Sequence, residues 1–395
     1  MSSNADLPHF PFARENGYEP SPVNARLRHD APISKTKLFD GSEAWMVMRH
    51  KDICTALDSD KLSADRRVDG YPEIHPGGSK AKESNPTFVN LDDPEHAKQR
   101  AMLQSRFDPE AVEKMRPMMQ ETTNEILDEL VKKGGKDKPV DLIEEFATPL
   151  PTQIIYKMLG VPEKDVGELS TDSDVRTGTS RDAAESANKH LQEYMSKLVD
   201  QRIEKPEDDL ISKLVVEQDD ITTLAFLVLT AGNAALINSI GLGVLTLLQH
   251  PDQLEELKRD PNLAPAVVNE VLRFHTASAL NSRRVAKEDM TIGGQHIKKH
   301  EGVICSVQSG DRDEEKAPNP DEFDIHRKVP YEDILGFGHG PHRCQGEHLS
   351  RAELEIAFGT LFQRVPNLKL AVKESELEWT PATQNVGVKE LPVYF

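Results

Sequence analysis

From Ile221 to Gln249 the chain runs without a single charge, ITTLAFLVLTAGNAALINSIGLGVLTLLQ. A helix apolar on all sides belongs in the middle of a large protein. The run is also long enough to cross a bilayer. However, Asn233, Asn238 and Ser239 interrupt its middle, no second span exists, and neither end carries the basic and aromatic flank of an anchor. The expectation is a core helix without a membrane anchor. Elsewhere apolar residues recur at helical spacing. Asp108-Pro109 opens one such stretch as cap and first-turn proline, and Gly134-Gly135 closes it. Pro117 inside it predicts a kink. Further helices are expected in PTQIIYKMLG, AAESANKHLQEYMSKLVDQRIE, PDQLEELKRD, LAPAVVNEVLRFH and HLSRAELEIAFGTLFQRV. Strand-like pieces are short: AWMVMR, MTIGGQHI, GVICSV and LPVYF. The stretch from Tyr71 to Pro86 is turn-rich and reads as a mobile loop. The fold class expected is mainly α with small β-sheets, one domain over residues 1–395.

Composition narrows the partners. A net charge of −19 argues against nucleic acid or an anionic membrane surface. Three cysteines, Cys54, Cys305 and Cys344, are too few and too scattered for a disulfide framework or a zinc site. The N-terminus has neither a signal-peptide nor a transit-peptide pattern. The reading is a cytoplasmic protein.

One cysteine sits in unusual company. The stretch FGHGPHRCQG, Phe337 to Gly346, places Cys344 among glycines, two histidines and an arginine, just before a helix. A helix N-terminus brings free amides and partial positive charge toward the sulfur, which favours thiolate. Gly338, Gly340 and Gly346 let backbone approach a flat ligand. His342 and Arg343 could meet its anionic groups. From the loop alone three readings stand: a thiolate ligand to haem iron, an inert buried cysteine, and a nucleophile with a nearby histidine.

A second element bears on the choice. NEVLRFH sets Glu270 and Arg273 one helical turn apart, and the stretch DRDEEKAPNPDEFDIHR follows before the cysteine loop. Together these resemble the cytochrome P450 superfamily. Its haem-loop pattern F-x-x-G-x-x-x-C-x-G is matched by Phe337, Gly340, Cys344 and Gly346, and its E-x-x-R pair by Glu270 and Arg273. The resemblance runs from about Phe12 to the C-terminus. It implies the mainly helical triangular-prism fold, haem b with Cys344 as its metal ligand, and an arginine like Arg327 bracing the pair. It also implies His96, Arg100, Arg284 and His342 as propionate partners, with the apolar helix crossing the distal face at Ala231 and Gly232.

In that superfamily monooxygenases carry an acid–alcohol pair on the distal helix, A-G-x-D/E-T, which relays protons for O–O cleavage. Here the stretch is TAGNAAL, with Ala234 and Ala235 in place of acid and alcohol. Over nearly its whole length the chain is similar to the fungal nitric oxide reductase branch, in KLFDGSEAW, IIYKMLGVP, AGNA, HTASAL, NPDEF and GFGHGPHRC among others. That branch converts two nitric oxide molecules to nitrous oxide with a hydride taken directly from NADH or NADPH. It needs no reductase protein, and a monomer is expected. No Rossmann fingerprint is present, since Gly241 and Gly243 fall inside the apolar helix. The branch holds its cofactor with basic side chains, matched here by Arg66 (with Arg67 as the competing neighbour), Arg176 and Arg283. Ser278 matches a serine of its distal network, and a proton route through Ser278, Asn233 and water is expected. Two positions depart from it: Ala235 stands where the branch has threonine, and Asn385 where it has aspartate. Alanine has no donor and asparagine cannot change charge. Three functions stay open: a nicotinamide-dependent nitric oxide reductase, a monooxygenase fed by separate redox proteins, and a haem protein that only binds nitric oxide.

Overall fold

The computed structural model describes residues 7–14, 17–76, 86–177, 181–215 and 221–395, without the side chains of 172–177 and 181–184. Helices dominate, and the expected caps hold. The helix Pro109–Lys133 begins where Asp108 accepts the Ala111 N–H at 2.8 Å and ends at Gly134, whose φ is 103°. Pro117 sits inside it without dividing it. The helices Pro149–Leu159, Arg181–Glu204, Pro251–Arg259, Ala264–His275 and Glu347–Arg364 fall on the stretches expected.

The apolar run departs from expectation in one respect. It is two helices, Ile221–Ala231 and Asn233–Gln249, broken at Gly232. The second half is core: Leu236, Ile240, Val244 and Leu247 are all buried. It packs against Pro149–Leu159, Ala264–His275 and Glu347–Arg364. A Cβ added at Gly243 would stand 2.4 Å from the Phe358 ring, so the two helices touch backbone to ring there. Gly241 and Gly243 in this helix serve close packing, against Ile143 and Phe358.

Five short strands form the main sheet, in the order Ile33–Lys37, Glu43–Val47, Gly302–Cys305, Arg283–Ala286, Leu62–Ser63. Only the second and third strands run parallel. MTIGGQHI is not one strand but a hairpin, Met290–Ile292 against Gln295–Ile297, turned by Gly293-Gly294. In the stretch from Tyr71 to Pro86, residues 77–85 lie outside the described residues. Its beginning is irregular but buried: Tyr71, Pro72, Glu73 and Ile74 take no helix or strand and are all buried.

Candidate functional site

The cysteine loop is held from beneath. Cys344 N–H donates to the Phe337 carbonyl at 2.8 Å, and Gly338 N–H to the Leu335 carbonyl at 2.7 Å. Gly338 and Gly340 take positive φ, 76° and 70°. At Gly340 a side chain is doubly excluded, because its Cβ would stand 2.8 Å from the Leu57 carbonyl oxygen. Cys344 opens on a cavity of about 490 Å³ bordered by Arg100, Gln104, Phe107, Tyr331 and His348. Burial pushes its thiol pKa up. The Gly346 N–H, Arg100 and Arg343 pull the other way without overcoming it. A cation bound to the sulfur would favour the thiolate against that burial.

Below the loop lies a closed lattice of charge. Glu270 and Arg273, both buried, pair bidentately at 2.7 and 2.8 Å. Arg327 donates to the same carboxylate at 3.1 Å, and Asp324 N–H at 2.9 Å. Arg273 also donates to the carbonyls of Asp311 and Pro320. Asp311 in turn accepts the Leu335 N–H at 2.7 Å, which ties this lattice to the lead of the cysteine loop. Arg343 corrects an expectation. On the wall of that cavity, its guanidinium is taken up by Glu347, at 2.6 and 2.8 Å, and by the carbonyls of Glu332 and Gly338. It braces the loop rather than meeting a ligand.

Above the loop the arrangement is the reverse. His96 and His342 rings lie 4.1 Å apart, and His96 Nδ1 bonds Asp93 at 2.9 Å. His96 Nε2 and His342 Nδ1 are buried without partners. Arg284 is 8% exposed and donates only to the neighbouring Arg283 carbonyl; neither it nor Arg100 has an ion pair among the described residues. Burial and the charges of Arg284, His96 and Arg100 push the His342 pKa down to about 3. Four donors thus crowd one place with too little negative charge, and buried charges are ordinarily paired. A ligand bearing carboxylates fits this set.

The distal positions are partly gathered. Ala231, Gly232 and Ala234 are exposed at the helix break, between half-buried Thr230, Asn233 and Ala235. Asn233 reaches Thr152 at 3.5 Å, and its Oδ1 is buried and unpaired. Ala235 offers only its carbonyl, to Ser239. Ser278 accepts from Asn281 at 2.6 Å. Val386 N–H donates to the Ala277 carbonyl at 3.1 Å, so Ser278 and Asn385 flank one backbone bond. Asn238, not singled out from sequence, packs so closely on Gly387 that a Cβ there would overlap its amide.

Two of the three expected cofactor cations meet. Arg66 pairs bidentately with Glu73 at 2.7 and 3.0 Å, and Arg283 reaches the same carboxylate at 3.1 Å. Both guanidinium groups lie near the Tyr71 ring, at 5.9 and 5.6 Å. Arg67 is separate, paired with Asp65 and half exposed, which separates it from Arg66. The side chain of Arg176 lies outside the described residues. Sequence reasoning missed Glu73 and Tyr71; the only signal was a carboxylate and an aromatic among turn residues.

The family model for Cytochrome P450 matches residues 174–393. The chain is 48% identical to Cytochrome P450 55A3 of Fusarium lichenicola, over 98% of this chain and 97% of that one. It is 35% identical to the Vitamin D3 dihydroxylase of Streptomyces griseolus, over 98% and 97%. Among solved structures it superposes on GfsF with a TM-score of 0.93 at 35% identity, covering 98% of this chain and 100% of the other. CYP105N1 from Streptomyces coelicolor A3(2) superposes with 0.93 at 32% identity, covering 99% of both.

Proposed function

The chain belongs to the cytochrome P450 family, and from that premise we propose a haem-thiolate nitric oxide reductase that takes hydride directly from NADH or NADPH. Cys344 is the proposed iron ligand. Phe337, Gly338 and Gly346 shape the backbone beneath the ring. His96, Arg100, Arg284 and His342 hold its propionates, which supply the carboxylates that cluster lacks. Haem iron, when bound, supplies the redox centre for nitric oxide.

The carrying observation is the helix break. Ala231, Gly232, Ala234 and Ala235 put no acid and no alcohol where O–O cleavage needs proton relays. Reducing nitric oxide breaks no O–O bond. Two nitric oxide molecules, one hydride and one proton give nitrous oxide and water. The smooth alanine–glycine surface leaves room for a nicotinamide. Arg66 and Arg283 are two cations on one carboxylate, so the trio keeps net positive charge for phosphate oxygens. Proton delivery falls to Ser278, Asn233 and the Asn385 loop. Asn385 cannot ionise, so it orients a donor rather than supplying the proton.

A second reading, an organic-substrate monooxygenase fed by redox proteins, is favoured by the 35% identity to a dihydroxylase. Mixing ferric protein with nitric oxide and NADH, without a reductase, decides between them. Nitrous oxide with stoichiometric NADH loss supports the proposal. Nitric oxide binding without NADH loss leaves only a nitric oxide carrier. Turnover solely with dioxygen and a reductase supports the monooxygenase. Cys344→Ala must abolish the red-shifted Soret band of the ferrous carbonyl form, whereas Cys54→Ala and Cys305→Ala must retain it.

A further inference from the structure

Away from the cysteine loop, the segment Phe10–Arg14 borders a small, partly open cavity of about 30 Å³. Its polar lining is Arg14, Ser21, Asn24, Ser306, Gln308 and Gln384. Apolar walls come from Phe10, Phe12 and Leu280. The volume suits one or two waters or one small anion.

The lining chemistry separates those occupants. Arg14 is partly buried and bonds only Thr380, through its carbonyl and, at 3.4 Å, its hydroxyl. It has no ion pair among the described residues, and burial lowers its pKa with no carboxylate offsetting the loss. Gln308 is 8% exposed, and its Nε2 is buried with no partner. Ser306 donates to Asn24 Oδ1 at 3.5 Å, which uses the acceptor of Asn24 and leaves its amide N–H groups as donors. The lining thus presents a cation and unsatisfied N–H groups, and no carboxylate. Water would satisfy the amides but not the charge.

We propose that this cavity is a binding site for a small monovalent anion of chloride or nitrite size, held by Arg14 and Gln308. Its walls include Ala279–Leu280, next to Ser278, and Gln384 and Val386, which bracket Asn385. An anion there pins together the two loops that carry those residues. The site stands on its own residues, whatever reaction the haem side performs.

The test uses the holoprotein. Crystals soaked in sodium bromide should show an anomalous peak within hydrogen-bond distance of Arg14 and Gln308 Nε2. In solution, chloride and bromide should raise the melting temperature saturably, while gluconate, too large for the cavity, should not at equal ionic strength. Gln308→Leu and Arg14→Met should each raise the half-saturating concentration about 10- to 150-fold, the loss expected for a hydrogen bond to a charged group. Water alone in the cavity at saturating bromide overturns the proposal, and so does an undiminished chloride response in both variants. Should either variant fail to fold, the wild-type bromide map still decides.

Discussion

Glu270–Arg273–Arg327 and His96–Arg100–Arg284–His342 are both buried clusters of charge near the cysteine loop, yet they are built on opposite rules. In the first, every guanidinium faces a carboxylate or carbonyl, and the one carboxylate takes two arginines and a backbone N–H. In the second, ring nitrogens are orphaned and two arginines have no ion pair among the described residues. A closed cluster holds the chain in place, whereas an open one awaits something from outside. The contrast distinguishes scaffold from site without reference to conservation.

The largest expected effect breaks the closed cluster. Glu270→Ala leaves two buried guanidinium groups uncompensated and should cost about 3–5 kcal/mol. Urea unfolding of the apoprotein measures it. An apoprotein as stable as wild type would show that the lattice is not structural.

Next in size is the open cluster, where the sign reverses. Arg284→Met should leave apoprotein stability unchanged or higher, because it removes an unpaired buried charge. It should weaken haem binding about 10- to 150-fold. Haem titration and apoprotein melting, run side by side, separate the two effects. A loss of apoprotein stability matching that of Glu270→Ala would erase the distinction.

A third prediction concerns pH. Burial pushes the Asp311 pKa up to about 7, above its unfolded value. The folded state therefore binds the extra proton, and that contribution, present at acid pH, is lost as pH rises through about 7. Asp311→Asn keeps an acceptor for Leu335 and should be more stable than wild type above pH 7, by up to about 4 kcal/mol. His275 has the opposite sign. Burial and the charges of Arg312 and Arg273 hold its pKa well below the usual value. Its contribution is present above about pH 6.5 and is lost as pH falls below that. Melts of Asp311→Asn and His275→Gln from pH 5 to 8.5 should flatten opposite limbs of the wild-type profile.

The smallest effect serves as a control on the cationic trio. Arg66→Gln should raise the apparent KM for NADH and flatten its dependence on added salt. Arg67→Gln, on an exposed pair with Asp65, should change neither stability nor KM by more than about 0.5 kcal/mol. Equal effects at both positions would remove Arg66 from the cofactor path.

Much of this is legible in the sequence itself. Asp108-Pro109 and Gly134 announced their helix because caps act over three or four residues. The cysteine loop was recognisable because its glycines, cysteine and following helix are contiguous. What was hidden depends on partners far along the chain. Glu73 serves Arg283 across more than two hundred residues, and nothing local in either stretch reveals it. Arg343 looked like a ligand group because it adjoins the sulfur. Its true partner, Glu347, lies one helical turn on, and only the folded turn shows that this carboxylate already occupies the guanidinium. The break at Gly232 escaped notice because hydrophobicity continues through it, and periodicity cannot see a discontinuity between two apolar helices.

That break has an evolutionary side. Gly232 has backbone angles, φ −89° and ψ −29°, that any residue adopts, and nothing lies within 4 Å of where its Cβ would stand. Most glycines in this chain with close neighbours are locked by them; this one is free to vary. A lineage could add volume here one methyl at a time and lose little stability. Each step would reshape what can approach the distal face. Position 232 is thus a cheap dial for selection, set in this chain to its most open value.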